Sequence, residues 1–190
     1  MAVERSKEEL PKVLNGVDTE AVKNLAGTLA ENTGLAAFKF RLKNSWVDCG
    51  HNRSTISGFH GTGQDIAHLK AFELDSDEPP SLAGKDQGAN PVEHLLNALA
   101  ACLTTTMVYH AALRGIKIDA LESELEGDID LRGFLGISND VRRGYQNIRV
   151  KFRVKTDASN LARLKALTKL SPVFDVVTKG TSVNVEVERM

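Results

Sequence analysis

The 190-residue sequence predicts an α+β protein, with two groups of antiparallel strands around one long, buried central helix. Three observations carry that prediction. Residues 95–113 contain no Asp, Glu, Lys or Arg, a run that suits a helix enclosed by other elements. Stretches before and after it alternate apolar and charged side chains, the period of strands with one wet face. The early strands are joined by connections too short for crossover helices, which makes them antiparallel.

Taken in order, the chain opens helical. Ser6 and Glu9 have capping-box spacing. Asp18 and Thr19 supply caps before Val22, Leu25, Ala26 and Leu29, an i, i+3, i+4, i+7 stripe. Asn32 and Gly34 end it. Residues 1–34 therefore form a helical extension, and residues 35–190 the main domain. Phe38, Phe40 and Leu42 then alternate with Lys39, Arg41 and Lys43 as a half-buried strand. "NRSTISGF" and "HLKAFEL" supply the next two strands.

Residues 75–91 are rich in Pro, Gly and Asp and predict a long irregular loop, a place where function collects. Pro91 suits the first turn of the helix, with Asn90 as its cap. The helix is expected over residues 91–114, with Gly115 just beyond its end. A membrane span needs ~20 predominantly apolar residues. Asn97, Thr104, Thr105, Thr106, Tyr109 and His110 break this run, so the expectation is a core helix and no membrane.

The second half repeats the strand logic. Leu121, Leu125, Ile129 and Leu131 share one face, and Glu122, Glu124, Glu126, Asp128 and Asp130 the other. Ile148, Val150, Phe152 and Val154 alternate with Arg149, Lys151, Arg153 and Lys155. An acidic strand face and a basic one stabilise each other across a pair, so these two strands are expected to pair antiparallel through residues 132–146. Asp157 or Ser159 starts a helix, Ser171 and Pro172 start another, and Gly180 follows its end. "SVNVEVE" reads as a closing strand, with Val183, Val185 and Val187 on one face.

Bulk composition removes several function classes. A net charge of −1 offers nothing to nucleic acid. The charged start "MAVERSKEEL" lacks the apolar core of a secretory signal, so a cytoplasmic, reducing location is expected. Two cysteines and five histidines without ligand spacing call for no metal and no cofactor. Cys102 has two readings. Free cysteine packs well as a small hydrophobe, and Leu95, Leu99, Thr106 and Tyr109 share its helical stripe. A reactive thiol at mid-helix needs a cation brought to it by tertiary folding.

The stretch "DEPPSLAGKDQGANPVEHLLNALAACLTTTMVYHAALRGIKI" resembles the OsmC/Ohr family, the osmotically inducible and organic hydroperoxide resistance proteins. The tail "SPVFDVVTKGTSVNVEVE" resembles the family's closing helix and strand, and the likeness covers about residues 36–190. It implies an intertwined homodimer with active sites at the interface. It also implies reduction of organic hydroperoxides, in which peroxide oxidises a reactive cysteine to a sulfenic acid and a second cysteine closes a disulfide. In that family an arginine held by a glutamate stabilises the thiolate. Carried over, the reactive cysteine is Cys102 and the arginine Arg53. The glutamate's place, directly after the Asn-Pro proline, holds Val92, with Glu93 one residue later; Glu93 either orients Arg53 or complements the helix dipole. The second cysteine's place, before Pro172, holds Ser171, so a sulfenic acid at Cys102 would go on to Cys49, to an external thiol or to over-oxidation. The expectation is an OsmC-like thiol protein, a peroxidase lacking the usual resolving cysteine. The alternative is a non-catalytic binder of a small lipophilic molecule.

Overall fold

In the computed structural model, which describes residues 10–190, the elements follow in chain order. They are β1 (Val13–Leu14), β2 (Val17–Asp18), α1 (Thr19–Glu31), β3 (Lys39–Phe40), β4 (Lys43–Asp48), β5 (His51–Gly61), β6 (Gln64–Ser76) and α2 (Pro91–Ala112), then β7 (Ala120–Asp128), α3 (Leu131–Phe134), β8 (Asn147–Lys155), α4 (Leu161–Leu167) and α5 (Pro172–Lys179). The expected capping pair Ser6 and Glu9 lies outside the described residues. The chain forms two units, one of Asp18–Leu95 and one of Leu96–Met190 with the described residues up to Val17.

In the Asp18–Leu95 unit, Asp18 caps α1 by accepting the Ala21 N–H at 2.9 Å. The apolar stripe of α1 is little covered, with Leu25 46% exposed. The sheet is antiparallel, as expected. β5 pairs with β6 along nearly its whole length, while β3 and β4 follow one another along its other edge. The β5–β6 hairpin turns at Thr62 and Gly63, both at positive φ (49° and 79°). That is the two-residue turn whose twist matches paired strands, and Gly63 adopts it without steric cost. One expectation is corrected. Phe38, Phe40 and Leu42 were to be half-buried, yet they are 42%, 76% and 54% exposed. Alternation reports that a face is apolar, not that the same chain supplies its cover. Phe38, Phe40 and Phe59 instead touch one another, and His68 carries the ring contacts on to Phe72 edge-on, with centroids 5.1–6.2 Å apart.

The 75–91 loop is irregular but ordered around one side chain. Asp77 is 1% exposed, and its carboxylate accepts the backbone N–H groups of Glu78, Lys85 and Gln87 at 2.8, 3.1 and 3.2 Å. Burial pushes its pKa up, but the three amide bonds outweigh it and hold the carboxyl below its usual range.

In the other unit the core is Met107 and Ala111 of α2, Ile116, and Leu164 and Leu167 of α4, with Leu121, Phe152 and Val154 packed against it. Each fully buried side chain of this size contributes roughly 1.5–3 kcal/mol. Asn15 ties the N-terminal hairpin to it, donating to Ile116 O and accepting from Ile118 N, both at 2.9 Å. The helix α2 is long and apolar enough, by length and composition, to cross a membrane. Its Leu99, Leu103, Thr106, Met107, Ala111 and Ala112 are buried, but Leu95 and Tyr109 are 41% and 47% exposed. The chain by itself packs one side of the helix, not the full circumference that its composition predicted.

β7 and β8 pair as their charges require, but the strand expected to reach Leu131 stops at Asp128, because Asp130 instead caps α3 by accepting the Arg132 N–H. The register sets Glu122 opposite Arg153, Glu124 opposite Lys151 and Glu126 opposite Arg149. Arg153 reaches Glu124 at 2.5 Å, and Arg149 reaches Glu126 at 2.6 Å and also Asp128. The tail is a further correction. Residues 181–190 form no strand, and Val183, Val185 and Val187 are 78%, 76% and 92% exposed. A strand is made by pairing with an edge, and among the described residues the tail pairs with none.

Candidate active site

Cys102 lies halfway along α2 and is partly buried, one residue before Leu103, which is 2% exposed. Its polar neighbour comes from α5. Ser171, expected to cap a helix, does so: its hydroxyl oxygen accepts the Phe174 N–H at 3.2 Å, and Pro172 fills the first helical position. The same hydroxyl donates to Cys102 Sγ at 3.1 Å. Ser171 is 1% exposed, so no bulk water competes for that proton. In the same unit Leu103, Met107, Phe152, Leu164 and Phe174 line an apolar cavity of about 410 Å³, with Lys165 and Thr168 the polar members of its wall.

Arg53, Glu93 and Cys49 belong to the Asp18–Leu95 unit. Arg53 sits on β5 directly across from Asp75 on β6. It grips that carboxylate with two bonds, Nε to Oδ1 at 2.9 Å and Nη2 to Oδ2 at 3.3 Å. His51 reaches Asp75 Oδ1 at 2.8 Å through Nε2, and His94 Nε2 reaches the Asp75 carbonyl at 3.1 Å. The Arg53 guanidinium, then His51, hold the Asp75 carboxyl below its usual range, and Asp75 raises Arg53 in return. Glu93 accepts the Asn90 N–H at 2.9 Å while Asn90 Oδ1 accepts the Val92 N–H, which closes a capping box at the start of α2. Within this unit the carboxylate on Arg53 is thus Asp75, not Glu93.

Cys49 is exposed at the β4–β5 turn with φ +50°. Its thiol donates to Ala83 O at 3.2 Å. Among the described residues no group of three His, Cys, Asp or Glu side chains could hold a metal ion.

Two of these partners were not foreseen. Asp75 and His51 escaped because a bulge between Ile56 and Gly58 shifts the β5–β6 register. Counted straight from the Thr62–Gly63 turn, Arg53 would face Phe72 instead. The opposite-charge pair Arg53 and Asp75 was the one available signal, and it is visible only once the bulge is known.

An α+β chain with a long apolar helix, a mid-helix thiol and a capped helix presented to its sulfur defines a class of thiol-bearing folds. The model of the OsmC-like protein family matches residues 84–186, which takes in the thiol and both helices that frame it. The chain belongs to that family. Its fold resembles an OsmC-like protein from Mycoplasma pneumoniae, at 17% identity and a TM-score of 0.56, covering 74% of this chain and 88% of that one. It also resembles an organic hydroperoxide resistance protein OsmC from Legionella pneumophila, at 14% identity and a TM-score of 0.53, covering 75% and 90%. A comparison with curated proteins finds no match.

Proposed function

We propose that this chain is a thiol-dependent reductant of organic hydroperoxides, acting through Cys102 as a homodimer in the cytoplasm. The observation that carries the reading is the Ser171 hydroxyl donated to the Cys102 sulfur at 3.1 Å from a buried position. The hydroxyl fixes the sulfur's orientation, and in such chemistry the thiolate is the nucleophile. The thiolate attacks one peroxide oxygen; an S–O bond forms, the O–O bond breaks, and the alkoxide leaves with a proton as the alcohol. Sulfur is oxidised to the sulfenic acid and the peroxide is reduced. The apolar cavity in the same unit suits the organic part of such a substrate. Arg53 takes the part that the family gives its arginine.

The dimer is supported by apolar surface that the single chain leaves open. Phe40 and Trp46 are 76% and 74% exposed, as are the three tail valines to similar or greater extents. Sedimentation velocity is expected to give twice the chain mass. For the activity, wild-type protein is expected to consume cumene hydroperoxide in the presence of a thiol, and Cys102→Ser to do so no faster than buffer. Equal rates for the two would exclude the reading.

A second reading is a binder of a small lipophilic molecule without turnover. It is favoured by the same cavity and by Ser171, which cannot close a disulfide. Native mass spectrometry of freshly isolated protein would then show a ligand retained on a thiol inert to peroxide.

A further inference from the structure

We propose that Ser171 is a positioning residue for the Cys102 sulfur, and that it makes this a one-thiol centre closed by a small thiol from solution. The inference rests on the redox reading above. Ser171 has one proton to give and one direction left to give it. Its oxygen is committed to the Phe174 N–H at the start of α5, which turns the hydroxyl proton toward Cys102 Sγ. Burial at 1% exposure keeps the hydroxyl from rotating out to water. An apolar cavity lies beside this pair in the same unit, although neither Cys102 nor Ser171 lines it. Phe174, which holds the hydroxyl, and Leu103, which follows the thiol in α2, both line it. The cavity wall thus stops one residue short of the thiol in α2 and takes in the residue whose N–H holds the hydroxyl in α5.

A hydroxyl at residue 171 helps the first step and cannot perform the second. Once Cys102 is a sulfenic acid, a neighbouring sulfur could displace its oxygen, but a neutral alcohol does not. The step falls to a low-molecular-weight thiol. Its sulfur attacks the Cys102 sulfur, an S–S bond forms, the S–O bond breaks, and the oxygen leaves with a proton as water. A second thiol attacks the mixed disulfide, releases Cys102 as a thiol and departs as a symmetric disulfide. One hydroperoxide and two thiols become one alcohol, one water and one disulfide.

The experiment uses the full chain with Cys49→Ser, so that Cys102 is the one thiol followed. Its alkylation by iodoacetamide is timed by intact mass at constant pH. Ser171→Ala and Ser171→Gly are expected to slow it about tenfold, since a hydrogen bond to a charged group is worth at least that factor. Glycine retains most of the helix cap, which separates the effect from a loosened α5. Ser171→Thr, which keeps the hydroxyl, is expected to restore most of the rate. Parent-like rates for Ala and Gly, or equal slowing in all three variants, would overturn the positioning role.

In a second arm the parent receives one equivalent of cumene hydroperoxide and then glutathione. It is expected to gain one oxygen atom, then a glutathione adduct, then to return to the starting mass. Ser171→Cys is expected to lose two hydrogens and to form no adduct. An oxygen gain that glutathione never discharges would overturn the one-thiol cycle. No oxygen gain at all, with alkylation still dependent on Ser171, would sink the redox reading and leave the positioning role standing.

Discussion

Cys102 and Cys49 carry the same side chain with opposite hydrogen-bond polarity. The Cys102 sulfur accepts a proton from a buried hydroxyl, whereas the Cys49 thiol gives its proton to the Ala83 carbonyl. In the first the sulfur is an acceptor; in the second the thiol is a donor. Exposure differs too, since Cys49 is exposed and Cys102 only partly so. The difference teaches that a sulfur's hydrogen-bond partner and its solvent access are set separately, one by what packs against it and the other by where the fold leaves it.

The largest expected effect breaks the comparison outright. Cys102→Ser removes peroxide consumption while Cys49→Ser leaves it unchanged, measured by the rate of cumene hydroperoxide loss; the opposite ranking would reverse the assignment of the two thiols. Next comes the packing on each side. Leu164 is 1% exposed in the unit that holds Cys102, and Leu164→Ala should cost ~2–5 kcal/mol. At roughly 2–4 °C per kcal/mol for a chain of this size, calorimetry will show it plainly. Trp46, 74% exposed beside the Cys49 turn, belongs to the open surface assigned to the dimer; Trp46→Ala should lower the dimer share in sedimentation velocity while the isolated chain's stability moves within about 0.5 kcal/mol.

A pH dependence sharpens the Cys49 side. Asp75 and Asp77 carry carboxyls held below the ordinary value of 3.8. A carboxylate depressed on folding contributes its full stability above the unfolded value and loses it as the pH falls through the folded one. Asp77→Asn should therefore melt below the wild type at neutral pH, and the gap should close as the pH drops beneath 3.8. A gap that persists in acid would assign the loop's order to something other than that charge. The smallest effect belongs to the β7–β8 surface. Arg153→Gln should barely move the melting temperature, because its ion pairs stand in solvent, with Arg153 53% exposed.

The sequence was most legible where a local pattern carried its own partner. The β7–β8 pairing followed from one acidic and one basic face, and the helix starts at Asn90 and Ser171 followed from cap chemistry. Legibility failed where the partner was remote or missing. Alternation in residues 38–43 and 182–188 marked apolar faces but could not say that this chain leaves them uncovered. The candidate site divided in the same way. Cys102 and the serine before Pro172 were visible by resemblance, but the hydrogen bond between them, 69 positions apart, comes only from the packing of α5 on α2. Asp75 was hidden by a bulge, a backbone event with no strong sequence signature.

Gly127 on β7 bears on how the second sheet finds its pairing. A side-chain carbon at that position would lie 2.5 Å from the Tyr145 ring, so only glycine lets the ring lie there. Sliding β8 by one residue would turn every charge inward. Sliding it by two would keep acids against bases, and the ladder alone would scarcely notice. Tyr145 would notice, because a leucine or isoleucine would then stand where the glycine was. The charges choose which strands meet, and one missing methyl group picks the rung on which they stop.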